Sequence, residues 1–120
     1  MRVMASTVLI VDDHPSFRAS ARAVLQADGF NIVGEAANGA EALAKVRELE
    51  PDVVVLDVQL PDSDGFEIAA RLRANGRSPA VVLVSSRDEA DYGDLIRASG
   101  ARGFVAKAEL SGPAVRALLE

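Results

Sequence analysis

Three acids, a hydroxyl and an amine in this chain each stand at the end of an apolar run. Asp12 and Asp13 follow T-V-L-I-V, Asp57 follows V-V-V-L, Ser85 follows P-A-V-V-L-V, and Lys107 follows G-F-V-A. The first three of these runs have the length and character of strands buried on both faces. A polar residue at their ends sits where strand meets loop, and in open parallel sheets the carboxyl edge is where ligands bind. Taken singly, each has an ordinary structural explanation. An acid ahead of a helix stabilises its N-terminus, a hydroxyl often ends a strand, and a lysine is usually a solvated surface charge. Asp57 itself runs into P-D-S-D-G within four residues, which is turn chemistry.

Brought together, the same residues would do more. Three carboxylates side by side repel, and some would hold protons unless a cation were present. An oxygen-only cluster with few protein ligands suits Mg²⁺, which keeps several waters and shares its shell with phosphate. Lys107 would add a mobile positive charge for phosphate oxygens, and Ser85 a hydroxyl donor. These are the parts of a phosphoryl-transfer site. Asp57, ending the central run, is best placed as an in-line nucleophile that would carry an aspartyl phosphate.

Whether they meet depends on the elements between them. Pro15 suits the first turn of a helix with Phe17, Ala21, Val24 and Leu25 on one face and Gly29 as its end. Asn31 to Ala36 is a strand candidate. Asn38 and Glu41 form a capping signal for a helix through about Leu49, with Ala42, Leu43, Val46 and Leu49 inward. Asp64 can cap a helix that buries Ile68, Ala69 and Leu72 and closes at Asn75 and Gly76. Asp88 begins another, with Tyr92, Leu95, Ile96 and Ser99 on one side and Gly100 as its stop. Ser111, Gly112 and Pro113 start the last, bearing Val115, Leu118 and Leu119. Strand and helix alternate five times over. This predicts an α/β domain: a doubly wound, flavodoxin-like parallel sheet of order 2-1-3-4-5 with helices on both faces. In that order the first and third strands are neighbours, so Asp12, Asp13 and Asp57 converge, and Ser85 and Lys107 reach the same edge.

At 120 residues the chain reads as one domain, residues 1–120, with no disulfide needed and no cysteine to make one. Its 49% hydrophobic and 26% charged content is that of a globular protein, and no run approaches the ~20 apolar residues of a membrane span. A cytoplasmic location is expected. The net charge of −5 argues against this domain holding nucleic acid by itself. His14, the single histidine, reads as structural or merely exposed, having no partner set for a metal site.

From Val8 to Leu119 the sequence resembles the receiver domains of bacterial two-component response regulators. The resemblance rests on V-L-I-V-D-D-H, V-V-L-D-V-Q-L-P-D-S-D-G, V-V-L-V-S-S and G-F-V-A-K together. It implies that Asp57 takes phosphate from a sensor histidine kinase, and that Asp12 and Asp13 bind Mg²⁺ with Asp57 and the backbone carbonyl of Gln59. Ser85 would close on the phosphoryl group, Lys107 would be its counter-charge, and Phe104 the aromatic that follows Ser85 inward. The segments around His14 and Lys107 look most like the subgroup with a C-terminal helix-turn-helix DNA-binding domain, a domain outside this chain. The abrupt end at Glu120 favours an excised domain. The fourth and fifth helices are a candidate homodimer surface.

Four positions depart from the family's usual pattern. Ala108 stands where many receivers have a proline preceded by a cis peptide, so a trans bond and a differently shaped loop are expected, since a non-proline cis bond costs about 3 kcal/mol. Phe104 replaces tyrosine and can signal only by packing. Gln59 and Arg87 occupy the rim positions that tune how fast water removes the phosphate. Three rival functions fit the sequence less well. A nucleotide or flavin module would want a phosphate cradle where Asp12 and Asp13 stand, and a haloacid-dehalogenase-type phosphatase would want Asp-x-Asp after the first strand. A receiver-like interaction module that is never phosphorylated would leave the assembled chemistry unused.

Overall fold

The valine-rich runs become the centre of a sheet. In the computed structural model, which describes residues 6–74 and 79–120, β1 (Thr7–Val11), β2 (Asn31–Ala36), β3 (Val53–Asp57), β4 (Ala80–Ser85) and β5 (Gly103–Ala106) pair in parallel in the order 2-1-3-4-5. The helix stop expected at Asn75 and Gly76 lies outside the described residues. The three continuously apolar strands are the three interior ones. Edge strands β2 and β5 carry the partly exposed positions, because each has a neighbour on one side only.

Alternation along the strands divides the core in two. Val8, Ile10, Val53, Val55, Val82 and Val84 face α1 (Pro15–Ala27) and α5 (Gly112–Leu119), meeting Ala21, Leu25 and Val115. Leu9, Val11, Val54, Leu56 and Leu83 face α2 (Gly39–Leu49), α3 (Gly65–Ala74) and α4 (Leu95–Ala98), meeting Ala42, Ile68, Leu72 and Ile96. The register sets Val11 against Leu56, Asp57 against Val84 and Ser85 against Ala106. All the polar strand ends therefore emerge on one edge.

The capping signals act as expected. Asn38 Oδ1 accepts from the Glu41 N–H at 2.8 Å, the Glu41 carboxylate accepts from the Ala37 N–H at 2.9 Å, and Asp64 Oδ1 accepts from the Glu67 N–H at 2.8 Å. Two expectations about helix faces need correction. The buried stripe of α1 is centred on Ala21 and Leu25, so Val24 lies on its rim and is 40% exposed. The helix expected from Asp88 is instead a 3-10 turn (Glu89–Asp91) and one turn of α-helix, α4. Gly93 separates them at φ +57, a left-handed conformation that interrupts a right-handed helix. Leu95, expected inward, is 54% exposed as a result.

Candidate functional site

Asp12 is fully buried at the end of β1 and Asp57 almost so at the end of β3. Lys107, entering from the end of β5, lies between them: Nζ is 2.6 Å from Asp12 Oδ2 and 3.3 Å from Asp57 Oδ2. The 2.6 Å approach is a charge contact that does not align as a hydrogen bond, so Asp12 Oδ2 is a buried oxygen without one. Asp12 Oδ1 is better served, accepting from the His14 N–H at 2.8 Å.

These contacts set the protonation of the cluster. Burial pushes Asp57 up, the Asp12 charge pushes it further, and Lys107 offsets part of the rise, leaving a pKa of about 6. Burial acts on Asp12 as well, but Lys107 and the His14 N–H outweigh it and hold that carboxyl below its ordinary value. Burial alone would lower Lys107. Asp12 and Asp57 reverse the direction, and its ammonium is held above the ordinary range. At neutral pH the site thus carries two ionised buried carboxylates against one cation.

The backbone around Asp57 is tightly built. The Gln59 N–H donates to Asp57 Oδ1 at 3.2 Å, and the Gly65 N–H donates to the Val58 carbonyl at 2.7 Å. A Cβ at Gly65 would stand 2.5 Å from the Asp57 carbonyl oxygen, so only glycine permits this approach. Asp62, further along the loop, accepts from the Gly39 and Ala40 N–H groups and ties the loop to the start of α2.

The other expected residues fall in two groups. Asp13 is exposed beside Asp12, and Gln59 is exposed on the rim. Ser85 is buried, but its hydroxyl is turned to the Tyr92 hydroxyl at 2.7 Å and accepts from the Arg87 N–H at 3.1 Å. Arg87 reaches the site through that N–H. Phe104 is half-buried, with its ring 5.8 Å from that of Tyr92. The peptide bonds of the described residues are all trans, Ala108 included, and residues 107–109 form a 3-10 turn.

Three participants were not legible in the sequence. His14 is 64% exposed, yet its Nδ1 lies 3.0 Å from Asp12 and 3.1 Å from Asp13, which corrects its reading as a histidine without partners. Adjacency in D-D-H was the available signal. Arg18 donates Nη1 to the Asp12 carbonyl at 2.6 Å and Nε to Glu35 at 2.9 Å, and Glu35 also takes Arg22 at 2.8 Å. Burial would raise Glu35, but the two guanidiniums outweigh it and hold its carboxyl low. Tyr92 read simply as a core residue.

Asp12, Asp13, His14 and Asp57 each offer a ligand atom, and these atoms lie within 4.8 Å of one another. A buried carboxylate oxygen lacking a hydrogen bond, beside further carboxylates, fits a hard divalent cation such as Mg²⁺. His14 adds a nitrogen that an oxygen-only reading left out.

A doubly wound parallel sheet of order 2-1-3-4-5 with aspartates and a lysine meeting at the carboxyl ends of its strands is the arrangement of receiver domains. The chain belongs to the response regulator receiver domain family, whose match spans residues 8–117. It is 44% identical over 104 residues to a Pseudomonas aeruginosa protein named as a transcriptional regulator, covering 87% of this chain and 50% of that one. With the DNA-binding transcriptional activator EvgA of Escherichia coli it shares 35% identity over 101 residues, covering 84% of this chain and 50% of that one. The chain spans about half the length of these relatives. Among solved structures, the signal receiver domain of NarL from Mycobacterium tuberculosis superposes with a TM-score of 0.88 at 35% identity, covering 98% of this chain and 95% of that one. A chemotaxis response regulator of Vibrio cholerae does so at 0.83 and 28%, covering 97% of each chain. No helix among the described residues is long and apolar enough to cross a membrane.

Proposed function

We propose that Asp57 is the phosphoacceptor of this receiver and takes its phosphoryl group from a sensor histidine kinase. The observation that carries the reading is the placement of Lys107 Nζ between the buried Asp12 and Asp57 carboxylates, at 2.6 and 3.3 Å. With a pKa of about 6, Asp57 is ionised at neutral pH and able to act as a nucleophile. Its carboxylate oxygen attacks phosphorus, the bond from phosphorus to the donor histidine nitrogen breaks, and the imidazole leaves with that electron pair. Lys107 stands where charge gathers on the phosphoryl oxygens, and the Ser85 hydroxyl is the donor that would close on the product.

Asp12, Asp13, Asp57 and the Gln59 backbone carbonyl would hold Mg²⁺. When bound, the ion supplies positive charge that offsets the clustered carboxylates and the incoming phosphate. Gln59 and Arg87 are the rim residues that would govern how fast water removes the phosphate. Phosphorylation would shift a two-state equilibrium expressed on the face made by α4, β5 and α5, with Phe104 moving by packing. In this reading the domain, residues 1–120, works in the cytoplasm, can pair as a homodimer, and reaches DNA only through a separate output domain of the kind its relatives' names suggest. It is a switch that assists its own phosphorylation and dephosphorylation, not an enzyme acting on external substrates.

The test is intact mass after incubation with Mg²⁺ and a small acyl-phosphate donor. One added phosphoryl group is expected in the native chain and none in Asp57→Asn. No addition, or one that persists in the variant, overturns the assignment.

A further inference from the structure

Tyr92 is the one tyrosine of the chain, and its hydroxyl, 2.7 Å from Ser85 Oγ, makes the only side-chain contact of that serine among the described bonds. A serine hydroxyl has one proton and two lone pairs. Here the Arg87 N–H occupies one lone pair and Tyr92 engages the hydroxyl from a second side. No hydrogen bond to Asp57 is among its partners, whose carboxylate meets the Gln59 N–H and Lys107. The group expected to close on a phosphoryl at Asp57 is thus committed elsewhere in the resting protein.

The ring of Tyr92 is held independently of its hydroxyl. It packs edge-on against Phe66 of α3 at 5.4 Å and tilted against Phe104 of β5 at 5.8 Å. Directly after it comes Gly93, in a left-handed conformation with nothing within 4 Å of the place a Cβ would occupy. The exposed Leu95 follows at the start of α4. Between the tyrosine and the short helix the chain thus has a single glycine with open space around it.

We infer that Tyr92 is a positioning residue that latches the Ser85 hydroxyl away from Asp57. Phosphorylation trades the Ser85–Tyr92 hydrogen bond for one from Ser85 to a phosphoryl oxygen, and the released tyrosine carries the change to α4 and Phe104. No covalent step is added, since one hydrogen bond replaces another. The inference rests on the reading of Asp57 as phosphoacceptor and names what opposes its switching.

Removing the latch should favour the phosphorylated form. A hydrogen bond within a protein contributes about 0.5–1.5 kcal/mol net, which corresponds to roughly 2- to 10-fold in an equilibrium constant. Affinity for beryllium fluoride, a phosphoryl mimic, would be measured with Mg²⁺ by calorimetry for the native chain, Tyr92→Phe, Ser85→Ala and the double variant. Tyr92→Phe keeps the ring and should bind about 2- to 10-fold more tightly. That gain should vanish when Ser85 is already alanine, a coupling that a purely structural role of the ring would not produce. In the native chain, which has no tryptophan, tyrosine fluorescence should change as the mimic binds. Native chain that binds no mimic overturns the phosphoacceptor reading itself. Native chain that binds, with Tyr92→Phe equal or weaker, or with unchanged fluorescence, overturns the latch alone.

Discussion

The ends of β1 and β3 and the end of β4 lie on the same edge of one sheet and are held in different ways. At β1 and β3 the chain concentrates buried charge. Asp12 and Asp57 share Lys107, and Arg18 and Glu35 brace the Asp12 backbone from outside. At β4 the chain uses neutral contacts: a serine on a tyrosine, one edge-on and one tilted aromatic pair, and a helix of one turn. Breaking one partner out of a buried charge pair costs about 3–5 kcal/mol, whereas a neutral hydrogen bond contributes about 1 kcal/mol. The charged end is suited to hold a reactive carboxylate in place. The neutral end is suited to move.

The contrast can be broken most severely at Lys107. Lys107→Met should destabilise the metal-free protein by about 3–5 kcal/mol at pH 8, because two buried carboxylates lose their shared cation. The loss should shrink near pH 5, where a carboxyl can take up a proton. Urea unfolding in a chelator at the two pH values measures both. An equal loss at both would mean that the lysine acts through packing, for instance over the Phe17 ring 4.7 Å away.

Asp57→Asn should have the opposite sign. Asp57 titrates at about 6 in the folded protein against an ordinary 3.8, so the fold binds its proton more tightly than the unfolded chain does. That contribution is fully present below about pH 4 and is lost as pH rises through about 6. Ionisation then costs roughly 3 kcal/mol at about 1.4 kcal/mol per pKa unit. In a chelator the asparagine variant should be the more stable by about that much at pH 8, with the difference closing towards pH 4. A gap that does not vary with pH would contradict the raised pKa.

The smallest effect is expected outside the cluster. Glu35→Gln weakens the brace on Asp12 and should cost about 1 kcal/mol at pH 7, allowing for the partial exposure of its ion pairs. Because Glu35 is held below its ordinary value of 4.5, its contribution is present above that unfolded pKa and is lost as pH falls through the folded one. The native and variant melting curves should therefore converge in acid. If they do not, the two guanidiniums stabilise this corner without the charge of Glu35.

Much of this molecule can be read from local sequence. Val53 to Leu56 are apolar without interruption because β3 lies between two strands and two helical layers, and the chain turns polar at Asp57 because the sheet ends there. Asn38 and Asp64 cap their helices through bonds spanning three residues, which spacing alone can reveal. The helix after Asp88 misled for a physical reason. Its apolar spacing is genuine, but Gly93 takes a left-handed conformation that no periodicity records. The roles of His14 and Arg18 are not legible in the sequence because they rest on Asp12, whose burial follows from the packing of the sheet.

By itself the sequence determined the alternation of strands and helices and the residues standing at the ends of the apolar runs. Hydrophobic periodicity and capping act over a few residues, so a linear reading reaches them. Only the tertiary structure decided how those ends interact. The pKa of Asp57 depends on Asp12 and Lys107, far away in the chain and in direct contact or charge range in space. The partner of Ser85 is Tyr92, chosen by where the aromatic ring packs between α3 and β5. Charge interactions and hydrogen bonds depend on distances of a few ångströms, and folding is what sets those distances.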